Sequence, residues 1–238
     1  MKMSAVMDYV CIDLETTGLS PKTDRIIEVG AARVRQGRVT DTYQRLIDPR
    51  MQLEERIEEL TGIRNSDLKG QPALEEILPE LEVFLGEDIL VGHRIGFDYS
   101  FLKRAFVNGK KEFEKQGIDT LKLARALVTD CESKRLESLC RYFSINHQAH
   151  RALGDVLATV DLYQKLAEDY WQEERKEIFL PRQLIYRVKK ESPITRAQLE
   201  RLQRVLEKHQ VKPSVEIASL TRNEASRYLD QLYAVYGR

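Results

Sequence analysis

An apolar run that ends abruptly in acidic residues constrains the fold of this chain more than any other feature. The run occupies residues 10–12, and Asp13 and Glu15 follow it directly. Successive side chains of a β-strand point to opposite faces of the sheet, so residues two apart share a face. The pattern therefore predicts a buried first strand over residues 6–15, with two carboxylates on the same side of its end.

The segments that follow alternate between strand and helix patterns. Residues 25–34 and 39–47 are predicted as strands joined at a turn that contains Gly37, and residues 89–91 as a short buried strand. Apolar spacing predicts helices over residues 53–60, 79–85, 98–107, 121–127, 136–142 and 152–175. Strands first, and then strand–helix alternation, predict an α/β fold with a mixed sheet flanked by helices.

The chain changes character after about residue 175. A basic cluster flanked by two prolines predicts a linker over residues 176–193, so residues 1–175 are expected to form one domain. A small helical appendage is expected over residues 194–238.

The appendage carries the same helix-start signal twice. Thr195-x-x-Gln198 and Thr221-x-x-Glu224 are both capping boxes, so they predict two helices arranged as a hairpin. A hairpin of this size rarely folds alone, so we expect it to dock on the remainder of the chain or on a protein partner.

Composition restricts the class of protein. The chain has 238 residues, of which 42% are hydrophobic and 32% charged, which is typical of a globular protein. It contains no apolar run of about 18 residues, so no membrane span is expected, and residues 1–8 do not have the pattern of a signal peptide. Cys11, Cys131 and Cys140 are too few and too scattered for a disulfide framework, which favours a cytoplasmic location.

Charge is balanced overall but unevenly distributed. Lys plus Arg and Asp plus Glu both number 38, which argues against strong general affinity for nucleic acid. Residues 172–238 contain 14 basic and 9 acidic residues, so the remainder of the chain has a net negative charge. A basic tail could hold a polyanion, although ordinary surface variation explains the same excess.

Two further acids lie near predicted helix starts. Asp98 and Asp155 each have an ordinary explanation, as a helix cap and as a charge that complements the helix dipole, and Asp13 and Glu15 could simply end an exposed strand. Asp13 and Glu15 on one face would, however, raise each other's pKa unless a cation lay between them, and four acids at the ends of different elements match the requirement of a two-metal site. Hard divalent ions such as Mg²⁺ prefer these oxygen ligands.

His150 precedes Asp155 by five positions and is the candidate general base. An imidazole with a pKa of about 6.5 can accept a proton at neutral pH, which suits a general base. An isolated histidine is, however, more often a surface residue. Cys131, Cys140 and His147 also occur in this part of the chain, but no zinc-finger spacing is present.

Three stretches, residues 13–19, 92–98 and 150–155, together resemble the DnaQ-like, DEDDh class of 3′-to-5′ exonucleases. This class includes proofreading domains of bacterial replicative polymerases, RNase T and oligoribonuclease. The similarity covers roughly residues 7–170. The five-residue spacing before Asp155 fits the histidine class, because the tyrosine of the sister class would fall at Arg151. The resemblance implies an RNase H-like fold and a catalytic set of Asp13, Glu15, Asp98, His150 and Asp155.

The resemblance also implies residues around the terminal nucleotide. The turn that contains Thr16, Thr17 and Leu19 is expected to surround it together with Phe97, and Leu19 and Phe97 could contact a base. Core packing is the alternative for Phe97.

A second set of residues follows the buried strand at residues 89–91. His93 resembles the family's Gly-His-Asn element, with packing as the alternative. Arg94 departs from the family's asparagine and could reach a substrate phosphate.

These features predict a 3′-to-5′ exonuclease that uses two Mg²⁺ or Mn²⁺ ions and releases nucleoside monophosphates from single-stranded 3′ ends. Two-metal sites place the ions about 3.5–4 Å apart, so that both can act on one phosphate. DNA is favoured over RNA. An RNA-trimming enzyme and a non-catalytic module that binds nucleic acid or a polymerase are the alternatives. A DNA polymerase or another protein is the expected partner of the C-terminal helices.

Overall fold

The computed structural model describes residues 5–147, 151–188, 192–213 and 216–237. These residues divide into two compact units. The larger contains the described residues up to Tyr186 except Ser20–Asp24, and the smaller contains Ser20–Asp24 and the described residues from Arg187 onward. The larger unit therefore extends further along the chain than the boundary predicted at residue 175. In the part of the chain described, no helix is both long enough and apolar enough to cross a bilayer.

A six-stranded mixed sheet forms the centre of the larger unit. Its strands are β1 (Tyr9–Thr16), β2 (Ile26–Arg35), β3 (Arg38–Leu46), β4 (Leu90–Gly92), β5 (Gln116–Asp119) and β6 (Arg182–Gln183). Their order across the sheet is β3-β2-β1-β4-β5-β6. The pairs β1–β4 and β4–β5 are parallel, and the remaining pairs are antiparallel. The predicted mixed sheet is confirmed.

Seven α-helices and a 3₁₀ helix (Glu173–Phe179) belong to the same unit within the described residues. The α-helices are α1 (Glu55–Thr61), α2 (Asn65–Leu68), α3 (Leu74–Leu85), α4 (Gly96–Asn108), α5 (Thr120–Leu127), α6 (Leu136–Phe143) and α7 (Ala152–Tyr170). One hydrophobic core packs α3 and α4 on one face of the sheet, and a second packs α5, α6 and α7 on the other. Side chains of β1 alternate between these cores, as a strand with two covered faces requires.

Some element boundaries differ from the sequence prediction. Helix α3 begins at Leu74, so Pro79 lies inside it rather than in its first turn. The unpredicted strand β5 has only four residues, including Gly117, and Gly117 lies so close to Leu184 that a Cβ atom there would be 2.8 Å from the Leu184 Cδ1. Strand β6 has two exposed residues, which leave no alternating pattern in the sequence.

The start of α7 packs directly on strand β2. A Cβ atom at Gly30 would lie 2.4 Å from the carbonyl carbon of Ala152, which is closer than any side chain tolerates. Only glycine therefore permits this approach. The contact fixes the first turn of α7 against the middle of the sheet.

The smaller unit has its own apolar core between α8 (Arg196–Lys208) and α9 (Arg222–Tyr236). Both predicted capping boxes are confirmed, because the Thr195 and Thr221 hydroxyls each accept a hydrogen bond from the backbone three residues on. Leu232 is only 5% exposed. The apolar stripe of α9 therefore forms the inside of the hairpin, and Leu232 is not available as part of a docking face.

Candidate active site

The alternation of β1 determines where its carboxylates point. Tyr9 and Cys11 belong to the core beneath α7, and Asp13 and Glu15 continue the same series along the strand. Asp155 lies in the first turn of α7, over that face. Carboxylate oxygens of Asp13, Glu15 and Asp155 all lie within 4.8 Å of one another. The structure therefore brings together three of the four predicted acids as one potential ligand cluster.

Asp98 reaches the same site from another element. It lies in the first turn of α4, directly after β4, and is 3% exposed. Its Oδ1 accepts a hydrogen bond of 3.1 Å from the backbone N–H of Leu14, between the two acids of β1. This bond ties the start of α4 to the end of β1.

The electrostatics of the four acids are unfavourable without a counter-charge. Burial, followed by the charges of Asp98, Asp155 and Glu15, raises the pKa of Asp13 well above its usual range. Burial and then the charge of Asp155 raise the pKa of Glu15 to about 8. Burial also raises the pKa of Asp98, although its backbone hydrogen bonds oppose the effect. Such shifts are typical of sites that bind cations or perform acid–base chemistry.

The predicted base, His150, falls within residues 148–150, which lie outside the described part of the chain. His147, three residues earlier, lies at the site: its Nε2 is 2.5 Å from Oδ1 of Asp155. Both side chains are largely buried, with 8% and 14% exposure. The sequence prediction considered His147 only as a zinc ligand and did not anticipate this contact.

A pocket of about 270 Å³ opens over the acids. Eight residues predicted for catalysis or substrate binding line it: Asp13, Glu15, Leu19, His93, Arg94, Phe97, Asp98 and Asp155. Leu14 and Leu136 complete the lining. Leu136 is the first residue of α6 and has no signal in the sequence that distinguishes it from a core leucine. Leu19 is 79% exposed and so is free to contact a ligand.

Thr16 and Thr17 do not line this pocket. The Thr16 hydroxyl donates to the Gly18 carbonyl at 2.6 Å, and the Thr17 hydroxyl accepts from the Arg25 N–H at 3.0 Å. Both threonines are buried. Their observed contacts stabilise the turn that carries Leu19.

His93 is held by hydrogen bonds at both ring nitrogens. Nε2 is 2.9 Å from the Lys134 carbonyl and Nδ1 is 2.9 Å from the Thr120 hydroxyl. The carbonyl can only accept, so Nε2 carries a proton. Burial lowers the pKa of His93, which favours the neutral ring with this proton alone. The ring therefore shapes the pocket wall and has no free nitrogen for proton transfer.

Arg94 has a left-handed backbone, with a φ of 76°. Asparagine tolerates this conformation better than arginine, which accounts physically for the family's usual residue at this position. Here the Arg94 N–H donates to Asp119 Oδ1 at 3.0 Å, and this bond helps to hold the turn. The guanidinium lies 5.7 Å from the centre of the Phe97 ring. Arg94 is thus a positively charged group on the rim of an acidic pocket.

A fifth acid, Glu28, lies beside the cluster but has a different environment. It is fully buried on β2 and accepts hydrogen bonds from Gln44 Nε2 at 2.8 Å, Arg151 Nη2 at 3.0 Å and Ala152 N at 3.1 Å. Because Arg151 and Ala152 immediately precede and begin α7, Glu28 holds the start of the helix that carries Asp155. Sequence reasoning missed this role because Glu28 lies in an otherwise apolar strand outside the three motifs.

The donor set fits hard divalent cations. Its ligands are carboxylate oxygens, and no hydrogen bond within the described residues reaches the carboxylates of Asp13 or Glu15. Mg²⁺ and Mn²⁺ prefer such oxygen ligands, whereas zinc sites favour histidine and cysteine. Asp13, Glu15 and Asp155 could therefore hold a metal ion together, and Asp98 lines the same pocket.

Comparison with known proteins is consistent with this site. A family model described as an exonuclease, RNase_T, matches residues 10–163. The PolC-type DNA polymerase III of Halalkalibacterium halodurans is 40% identical over 164 residues, which cover 68% of this chain and 11% of that protein. DNA polymerase III subunit epsilon of Aquifex aeolicus is 36% identical over 165 residues, covering 68% of this chain and 82% of that protein. The chain thus spans only about a tenth of the PolC-type polymerases.

Solved structures share the fold. Exonuclease X, in a complex with 5′-overhanging duplex DNA, superposes with a TM-score of 0.58 at 24% identity, covering 72% of this chain and 99% of that one. A structure of exonuclease I superposes with a TM-score of 0.62 at 20% identity, covering 73% of this chain and 42% of that one. At this level of identity the likeness concerns the fold, and the predicted RNase H-like architecture is confirmed.

Proposed function

Because this chain belongs to the DnaQ-like exonuclease family, we propose that it hydrolyses single-stranded nucleic acid from the 3′ end and releases nucleoside monophosphates. The observation that carries the proposal is the convergence of the acids. Asp13, Glu15 and Asp155 form one ligand cluster, and Asp98 lines the same pocket. The pKa values of Asp13, Glu15 and Asp98 are raised, and a non-catalytic module has no need for such a cluster of buried acids, so the site favours an enzyme over a binding protein.

The proposal includes two bound Mg²⁺ or Mn²⁺ ions held by these four acids. When bound, such ions make a water nucleophilic and stabilise negative charge on the phosphate. The protein orients the substrate. Leu19 and Phe97 offer apolar surface to the terminal base, and the Arg94 guanidinium offers charge to a phosphate.

His150 is proposed as the general base, on the strength of its spacing from Asp155. The contact between His147 and Asp155 shows that the segment before α7 can deliver an imidazole to this cluster. Alanine variants of the two histidines separate their roles. His150→Ala should reduce the rate by about 10²–10⁴-fold while metal binding persists. A larger loss in His147→Ala than in His150→Ala, measured at saturating Mg²⁺, would transfer the proposed role to His147.

DNA is the proposed substrate because the relatives described above are DNA polymerase III proteins and exonuclease X is seen with DNA. The same relatives support a DNA polymerase as a partner. The C-terminal hairpin, with Val235 72% exposed and Tyr236 46% exposed at the end of α9, is the proposed contact region.

The test is a side-by-side digestion of end-labelled single-stranded DNA, duplex DNA with a 3′ mismatch, and single-stranded RNA. We expect stepwise shortening from the 3′ end with Mg²⁺ or Mn²⁺, release of nucleoside 5′-monophosphates, and no reaction in EDTA. Faster digestion of RNA would favour the RNA-trimming alternative. Full cleavage in EDTA would falsify the metal-dependent reading.

A further inference from the structure

A second concave surface adjoins the active-site pocket. This groove has a volume of about 680 Å³, against about 270 Å³ for the pocket over the acids. It is formed by the start of α4, strand β5, helix α5 and residues 178–185, all within the larger unit. Arg94 and Phe97 line both the groove and the pocket, so the two are continuous.

The groove has an excess of positive charge. Arg94, Lys122 and Arg182 are exposed residues of its lining, and none of them forms an ion pair within the described chain. Asp119 is the single acidic residue among the lining residues. Its Oδ1 accepts hydrogen bonds from the backbone N–H groups of Arg94 and Leu121, each at 3.0 Å. The carboxylate of Asp119 is therefore engaged in holding two turns, and the three cations remain available to a ligand.

Apolar side chains lie beside these cations. Ile178, Leu180 and Ile185 are 37%, 49% and 81% exposed, and all three line the groove. A surface that carries both cations and exposed apolar side chains suits a ligand that is both polyanionic and rich in flat apolar faces. Single-stranded nucleic acid has this chemistry, because its phosphates repeat along the backbone and every base offers a face without regard to sequence.

We propose that this groove binds the nucleotides that precede the 3′-terminal one, so that the strand runs from the groove past Arg94 and Phe97 into the active-site pocket. The inference rests on the proposed function, because the terminal nucleotide must enter that pocket. Nucleotides that precede the terminal one lie outside that pocket, and the groove is the surface that continues from it at Arg94 and Phe97. Charge complementarity with phosphates, and continuity at Arg94, favour a nucleic acid strand over an apolar peptide as the occupant.

The test is a double variant, Lys122→Glu with Arg182→Glu, which reverses two charges of the groove and leaves the four acids and Arg94 intact. The matched control is Arg38→Glu with Lys69→Glu. These residues are exposed, lie outside the groove and belong to the same unit. Both variants change the net charge equally, so any difference between them reports position rather than total charge.

Two substrates distinguish a defect in strand binding at the groove from a defect in catalysis at the acids. The 4-nitrophenyl ester of thymidine 5′-monophosphate carries no phosphate beyond the one that is cleaved, so it gives Lys122 and Arg182 nothing to bind, and the double variant should hydrolyse it within about twofold of wild type. On a 20-nucleotide oligothymidylate, kcat/KM should fall at least tenfold in the groove variant and little in the control. An equal loss on both substrates, or no loss on the long one, would overturn the proposal.

Binding provides a readout without catalysis. The affinity of fluorescent oligothymidylate, measured in EDTA, should fall with rising salt. The slope of log affinity against log salt concentration should be shallower by about 1.4 in the groove variant, because each lost phosphate contact of a single strand contributes about 0.7. If wild type, the groove variant and the control variant all have the same slope, the assignment of the groove is wrong. If wild type binds the strand in this way but never hydrolyses the ester with Mg²⁺ or Mn²⁺, the proposed function fails while the groove stands.

Discussion

Two regions of the central sheet contain carboxylates with opposite environments. Glu15 on β1 pairs in register with Glu28 on β2, so the two acids are neighbours across the strands. Glu28 is fully buried, yet it accepts hydrogen bonds from Gln44, Arg151 and Ala152. Asp13 and Glu15, by contrast, receive no hydrogen bond within the described residues and face Asp155.

The difference separates a structural acid from acids suited to bind cations. Hydrogen bonds and a paired cation compensate a buried charge, and Glu28 has both. Within the described residues no hydrogen bond reaches the carboxylate of Asp13 or Glu15. The charge of Arg151 lowers the pKa of Glu15, but burial and the charge of Asp155 outweigh it, so the repulsion among these acids must be relieved by protons or by metal ions. Removing a negative charge should therefore raise the thermal stability at Asp13 and lower it at Glu28, whereas the activity should fall much more at Asp13 than at Glu28.

The largest effect is expected at Asp13. Asp13→Asn should reduce exonuclease activity by several orders of magnitude, because it removes a metal ligand. The same change should raise the midpoint of thermal unfolding in EDTA, because it removes repulsion among buried acids. Asp41→Asn, an exposed acid on β3, is the matched control and should change neither quantity appreciably. A variant that keeps wild-type turnover would remove Asp13 from the site.

The opposite effect on stability is expected at Glu28. Glu28→Gln should lower the unfolding midpoint, because an amide cannot accept from Arg151 and Ala152 as a carboxylate does, at a cost of roughly 1–3 kcal/mol. Activity should fall by less than in Asp13→Asn, through displacement of the start of α7 and hence of Asp155. Thermal unfolding in EDTA and kcat at saturating Mg²⁺ measure the two effects. A stabilised Glu28→Gln would show that Glu28 belongs with the repelling acids.

The comparison also shows what the sequence could predict. The alternation of β1 placed Asp13 and Glu15 on one face, and the helix starts placed Asp98 and Asp155 at its end, because these relations depend on local periodicity. Glu28 could not be identified in this way. Its role depends on Gln44 and Arg151, which are 16 and 123 residues distant along the chain. Only the assembled sheet and the close contact at Gly30 bring those partners together.

The sequence was also insufficient to predict strand β5 and the groove beside it, because both depend on pairing between distant segments. Strand β5 was not predicted because its four residues have no alternating pattern, and their strand geometry depends on pairing with β4. The groove beside β5 depends on residues 178–185, which the sequence indicated only as part of a linker. The C-terminal helices were predictable because both begin with a local capping box.

The smallest expected effect concerns the pH dependence of stability without metal. The pKa of Glu15 is raised from 4.5 to about 8, and those of Asp13 and Asp98 are also raised, so the folded protein retains protons that the unfolded chain has released. The stability contributed by these groups is therefore fully present below about pH 4.5 and is lost as the pH rises toward 8. In EDTA the unfolding midpoint should fall between pH 5 and 8 more steeply in wild type than in Glu15→Gln. Saturating Mg²⁺ should raise the midpoint more at pH 8, where the acids are ionised, than at pH 5, where protons compete. Parallel pH profiles for wild type and Glu15→Gln would mean that Glu15 does not share the repulsion that distinguishes this cluster from Glu28.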